Sequence, residues 1–96
     1  MGKESRSIMQ HGEPRCYFCG RLTCLERHHV MAGIANRKLS EKYGLWVWLC
    51  QFCHTGTRGA QYDREKNRGL KRLAQIAFEA RHSHDEWMQL FRKNYL

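Results

Sequence analysis

The chain has 96 residues, enough for one small domain, and a formal charge of +8 from 17 lysines and arginines against 9 aspartates and glutamates. A domain of this size buries little apolar surface, so a structural metal or another cross-link is expected. The odd count of five cysteines argues against a fully paired disulfide framework, and no apolar stretch has the length of a membrane span.

The charge predicts a polyanionic partner, with nucleic acid as the first candidate and a merely solvated basic surface as the alternative. The residues from Met1 to Arg6 contain no apolar run, so no secretory signal is expected there. Metal-binding thiolates need a reducing compartment, and the sequence therefore predicts a cytoplasmic protein without membrane contact.

Residues 1–14 are polar and end at Pro14, which predicts a flexible tail ahead of one domain at 15–96. Two Cys-x-x-Cys pairs lie in that domain, 30 residues apart: Cys16, Cys19, Cys50 and Cys53. Four thiolates in two such knuckles match a closed tetrahedral zinc site, so a structural Zn²⁺ is predicted. Two chance pairs of buried thiols are the competing interpretation.

Two residues beside the first knuckle carry separate predictions. Gly20 follows the second cysteine, where a left-handed backbone would turn amide groups towards the sulfurs. Cys24 has no partner at knuckle spacing. We predict that it is a small core residue, with a free thiol as the alternative.

A first strand is predicted at 23–30, where apolar and polar residues alternate. It carries His28 and His29 at its end. Successive side chains of a strand face opposite ways, so the two imidazoles are expected to begin in different environments.

The segment 31–44 has few large apolar residues and is predicted to be a basic loop. Residues 45–49 form a continuous apolar run that predicts a second strand leading into the second knuckle. Its Trp46 and Trp48 are expected in the core, with stacking on bases as the alternative. Contacts with phosphate are predicted for the basic residues Arg37, Lys38, Lys42 and Arg58, and further along for Arg64, Lys66 and Arg68.

Two helices are predicted towards the end of the chain. Apolar residues recur at helical spacing over 70–78, which favours an amphipathic helix. Ser83 and Glu86 have capping-box spacing, and an apolar stripe follows them.

Two runs carry a resemblance to a known family: Leu-Glu-Arg-His-His-Val at 25–30 and Leu-Cys-Gln-Phe-Cys-His at 49–54. They resemble the HNH endonucleases. Small phage and prophage members of that family are also similar at 36–45 and 93–96. The likeness implies an α+β fold: a zinc-stapled ββα-metal core of the His-Me finger, treble-clef-like kind over about 15–60, with added helices over about 62–96.

By this likeness, His28 and His54 would bind a catalytic divalent cation (Mg²⁺, Mn²⁺ or Ni²⁺), and His29 would be the general base. An unperturbed imidazole, with a pKa of about 6.5, is mostly neutral at cytoplasmic pH and suits that role. The expected reaction is hydrolysis of phosphodiester bonds, in DNA rather than RNA, with a phage or host protein as a further partner.

The sequence departs from the family at two positions. Leu45 stands where the family usually has its middle asparagine, and Asn36 is hypothesised to take over that catalytic, loop-bracing role. Arg58 stands where many members have another histidine, and Gln61 lies close by. The alternative function is a catalytically degenerate zinc module that binds nucleic acid in a phage packaging or recombination complex. A zinc-stapled protein-interaction domain would leave the basic segment unexplained.

Overall fold

The structure, a computed structural model, describes residues 6–31, 33–55 and 63–96. Within these ranges the fold is α+β, as predicted, with a two-stranded sheet and four helices. In chain order the elements are β1 (Leu25–His29), α1 (Ile34–Tyr43), β2 (Trp46–Cys50), α2 (Gln51–Thr55), α3 (Arg64–Glu79) and α4 (His84–Phe91).

The two strands pair antiparallel, with His29 opposite Trp46 and Arg27 opposite Trp48. Side chains alternate along each strand, so these four residues share one side of the sheet, which we call the outer face. The other side, the inner face, carries Glu26, His28, Val47 and Leu49. Its valine and leucine are fully buried in one apolar cluster with residues of α3 and α4.

The segment between the strands was predicted to be a basic loop, and that prediction was wrong, because most of it forms α1. The helix ends at Gly44, whose left-handed backbone lets its N–H donate to the Ser40 carbonyl. The buried Ser40 hydroxyl bonds both the N–H and the carbonyl of Met31, at 3.1 and 3.0 Å. Leu39 packs against the core. Tertiary contacts therefore support a helix whose own apolar stripe is weak.

Residues 7–10 of the predicted flexible tail are attached to the sheet. Ser7 is buried, and its hydroxyl donates to the Trp46 carbonyl. The Ile8 N–H donates to the Gly44 carbonyl at 2.9 Å, and the Trp48 N–H donates to Gln10 Oε1 at 2.9 Å. This part of the chain belongs to the fold of the domain.

The predicted C-terminal helices are present, and the capping box at Ser83 and Glu86 is confirmed. α3 begins at residue 64, ahead of the predicted start, because Asp63 caps it. On the core side of α3, the buried Gln75 donates to Asn94 Oδ1 and accepts from the Tyr95 N–H, which holds the last residues against the helix. None of the four described helices combines the length and apolarity that a membrane crossing requires.

Candidate functional site

The four knuckle cysteines form one cluster, as the sequence predicted. Their sulfur atoms all lie within 4.8 Å of one another, and the sulfurs of Cys19 and Cys50 are 3.6 Å apart. A tetrahedral Zn²⁺ with bonds of about 2.3 Å requires sulfur–sulfur distances of about 3.8 Å. Gly20 has a φ of 78°, the predicted left-handed backbone, at the turn after the first pair. The arrangement therefore fits a metal ion.

The protonation chemistry of the cluster also fits a cation. Burial raises the pKa of the Cys16 thiol, but backbone N–H groups of the cluster outweigh it and lower that pKa from 9.0 to about 6. Burial and the neighbouring thiols raise the pKa of Cys53 to about 12. Four adjacent thiolates repel one another, so all four can be present at neutral pH only around a positive ion.

Cys24 was predicted to be a core residue, and that prediction was wrong. The residue is exposed and has a φ of 55°, a left-handed conformation in the turn that leads into β1. Its carbonyl accepts the Gln51 N–H at 3.0 Å, so the backbone of Cys24 has a structural role while its thiol faces solvent.

His28 and His54, the predicted ligands of a catalytic cation, lie together on the inner face. Their ring centroids are 5.0 Å apart. The Nε2 atom of His28 is buried and has no hydrogen-bond partner among the residues that the structure describes. Burial, followed by the electrostatic effect of the neighbouring His54, lowers the pKa of His28 from 6.5 to about 4, so this imidazole is neutral at neutral pH.

Glu26 completes this pair, and sequence reasoning had missed it. Its Oε1 lies 2.7 Å from Nδ1 of His54. A carboxylate accepts from an N–H, so the contact requires a proton on Nδ1 of His54, and in the neutral imidazole the lone pair is then on Nε2. Carboxylate–histidine–metal arrangements use this geometry. We define Glu26, His28 and His54 as the inner histidine site.

The inner histidine site supplies two imidazole ligands and no more within the described ranges. There, the cysteine cluster is the only group of three or more potential ligands close enough to share an ion. Around a bound cation, two imidazoles would leave several coordination positions for water or phosphate. Arg58 and Gln61 lie outside the described residues, so their roles stay predictions.

His29, the predicted general base, lies on the outer face. Its Nε2 is 2.8 Å from Glu41 Oε2, on α1. The other carboxylate oxygen of Glu41 accepts from the guanidinium of Arg27, which stacks over the ring of Trp46 with 3.8 Å to the centroid. Burial raises the pKa of Glu41, but the hydrogen bonds from His29 and Arg27 outweigh it and lower that pKa. Glu41 is therefore a carboxylate at neutral pH and orients the His29 ring.

Asn36 and three of the predicted phosphate-contacting residues lie on α1, whereas Arg64, Lys66 and Arg68 lie on α3. Asn36 is half-buried, and within the described part of the chain its side chain is not hydrogen-bonded to His28, His29 or His54. Arg37, Lys38 and Lys42 are exposed, and the two lysines are one helical turn apart. The three basic side chains are thus carried by the same helix as Glu41, the residue that contacts His29.

No family model, curated protein or solved structure with which the chain was compared gives a match. The likeness to HNH endonucleases accordingly rests on the sequence runs around the histidines and the second knuckle. What the site could do chemically is inferred from the contacts of His28, His29 and His54.

Proposed function

We propose that this protein is a metal-dependent endonuclease of the HNH type that hydrolyses phosphodiester bonds in DNA. The observation that supports it most is the buried Nε2 of His28 beside His54, which has no hydrogen-bond partner among the described residues. A buried polar atom without a partner costs about 1–3 kcal/mol, and native folds retain few of them. A divalent cation is a partner that would accept both this lone pair and the one left on His54 by Glu26.

In this proposal the three histidines have two different roles in the reaction. His28 and His54 would hold the divalent cation, which would supply positive charge to the phosphate and the leaving oxygen. His29 accepts a proton from the attacking water at Nδ1, because its Nε2–H donates to Glu41. The carboxylate of Glu41 then stabilises the imidazolium that forms.

The positions of His28 and His29 agree with this division. They are the last two residues of β1 and project from opposite faces of the sheet. A phosphate lying across the end of the strand would meet the cation on the inner side and the base on the outer side. The exposed lysines and arginine of α1 would contact neighbouring phosphates, and the formal charge of +8 favours such a polyanion.

Binding to DNA is expected to be mainly electrostatic and only weakly dependent on sequence. Changing Lys38 and Lys42 together to alanine should weaken binding to all duplexes about equally. It should also flatten the slope of log affinity against log salt by about 0.9 for each phosphate that the variant no longer neutralises. Fluorescence anisotropy at several salt concentrations measures both effects.

The control for this double variant removes the same charge elsewhere, at the exposed Arg81 and Lys93. That protein should keep most of the slope of the parent. An unchanged slope in the Lys38 and Lys42 variant, or a strong preference of the parent for one short sequence, would contradict the electrostatic interpretation.

A non-catalytic zinc module that binds nucleic acid is the second candidate. It is favoured by the ligand count, because within the described residues only the cysteines form a cluster of three or more ligands.

The test that separates the two functions is to incubate purified protein with plasmid, single-stranded DNA and RNA while adding Mg²⁺, Mn²⁺ or Ni²⁺. We expect ion-dependent cleavage of DNA, and His28→Ala and His54→Ala should weaken the response to the ion. If the zinc-loaded protein binds DNA but does not cut it under any of these conditions, the nuclease proposal is wrong and the non-catalytic binding module is the better account.

A further inference from the structure

A cavity of about 490 Å³ opens on the outer face, between the sheet and the N-terminal segment. Its lining includes two tryptophans of β2, an arginine of β1 and several residues that precede the first knuckle: Trp46, Trp48, Arg27, Arg6, Ser7, His11, Gly12 and Pro14. Its volume is in the range of sites that hold small organic molecules. Neither the zinc cluster nor the inner histidine site uses it.

We propose that this cavity binds one unpaired nucleobase, together with its phosphate, of the nucleic-acid strand. The inference rests on the proposed function for the choice of a strand as the ligand. The nature of the ligand itself, a flat ring that carries a negative charge, follows from the side chains that line the cavity.

The aromatic wall of the cavity provides for the ring. Trp46 is buried, and the guanidinium of Arg27 lies over its ring, 3.8 Å from the centroid. The same guanidinium is 5.6 Å from the centroid of Trp48, whose ring remains partly exposed. The two indoles meet edge to face with 5.3 Å between centroids, which holds Trp48 in place. Because the Trp48 side chain is already held, little of its conformational entropy is lost when a base stacks on it. Such stacking is insensitive to the identity of the base.

The charge of the lining provides for the phosphate. Two arginines and a histidine contribute to it, and none of the eight lining residues is acidic. Of the two arginines, Arg27 already shares its charge with Glu41, so Arg6 is the phosphate-binding candidate. His11 would add a second donor. Cation and aromatic side chains that alternate in one groove are typical of single-strand binding.

The place of the cavity relates it to the reaction. Trp46 lies opposite His29 in the sheet, and Trp48 lies two residues further, opposite Arg27. Two residues of a strand span about 7 Å, a distance that one step of an extended nucleic-acid strand covers. A nucleotide in the cavity would therefore be the neighbour of a phosphate at His29. Seating an unpaired base there would make single-stranded or distorted DNA the preferred substrate.

The test compares a short oligothymidylate with the same strand made abasic, without added divalent ion. Base stacking should quench tryptophan emission, and the abasic strand should bind about 5- to 150-fold more weakly, the equivalent of about 1–3 kcal/mol for one stacked base. Trp87 is fully buried and supplies a constant background. Thymidine monophosphate should bind much more weakly than the strand.

Two single-residue variants test whether the base stacks on Trp48. Trp48→Leu should lose both the quenching and the preference for the intact strand while still binding the abasic one. Phe52→Leu is the matched control, since this ring is exposed and does not line the cavity, and it should behave as the parent does. Zinc content and circular dichroism show whether each variant is folded. The comparison of the two strands on the parent protein decides the question even if Trp48→Leu does not fold.

Three outcomes would overturn the proposal: equal affinity of the parent for the intact and the abasic strand, an undiminished base preference in folded Trp48→Leu, or binding of the monophosphate as tight as that of the strand. These outcomes are separable from those for the nuclease. A protein that cuts DNA but ignores the base refutes the cavity alone. A protein that prefers the intact strand but never cuts supports the cavity and refutes the nuclease.

Discussion

Replacing His29 with alanine is expected to lower the rate of DNA cleavage by about 10²–10⁴-fold, the usual loss when a general base is removed. The ring is only partly buried and lies outside the apolar core. Zinc content, melting temperature and affinity for DNA should therefore stay close to those of the parent. Single-turnover cleavage of a labelled duplex at saturating protein measures the chemical step.

Two further variants make this result specific. Glu41→Gln keeps an oxygen that accepts from His29 but removes the charge that stabilises the imidazolium, so a smaller loss of rate is expected. His84→Ala, at an exposed histidine of α4, should cut at the parental rate. If His29→Ala retains full activity in a preparation free of contaminating nuclease, His29 is not the base.

Cys50→Ser is expected to abolish zinc binding and, with it, cooperative unfolding. Cys50 ends β2, and its sulfur is 3.6 Å from that of Cys19, so the cluster connects the sheet to the first knuckle. Structural zinc sites contribute about 10–16 kcal/mol, as much as the whole stability of a typical domain. Metal analysis and calorimetry should show one zinc per parent chain and no melting transition in the variant.

The fifth cysteine supplies the control for this experiment. Cys24 is exposed and outside the cluster, so Cys24→Ser should retain both the zinc and the melting transition of the parent. A strong chelator should reproduce the effect of Cys50→Ser on the parent chain. A Cys50→Ser protein that melts as the parent does would refute the structural role of the metal.

The features that the sequence predicted well are those that neighbouring residues determine. The cysteine cluster follows from Cys-x-x-Cys spacing, and β2 follows from an uninterrupted apolar run. The capping box at Ser83 depends only on a residue three positions later. The opposite environments of His28 and His29 follow from strand alternation and agree with their separate contacts in the structure.

The features that sequence reasoning missed depend on distant contacts. α1 begins after Gly33 without a capping side chain, and its support comes from Ser40 and Leu39 packing on the core. Only Gly44, a typical helix terminator, and the helix-forming residues before it signalled the helix in the sequence. Glu26 and Glu41 meet His54 and His29 across 28 and 12 residues, and no local pattern marks those pairs.

The segment ahead of the first knuckle also determines how the sheet behaves towards other molecules. β2 pairs with β1 on one side, and on the other side its backbone groups are taken by Ser7, Gln10 and Tyr17. An edge strand with unused N–H and carbonyl groups is a template for a strand from another chain, the first step of aggregation. Here the side chains of Ser7 and Gln10 and the backbone N–H of Tyr17 form hydrogen bonds with these groups of β2 without adding a third strand. The protein can therefore keep a two-stranded sheet, with its paired histidines at the end of one strand, without recruiting a neighbour along β2.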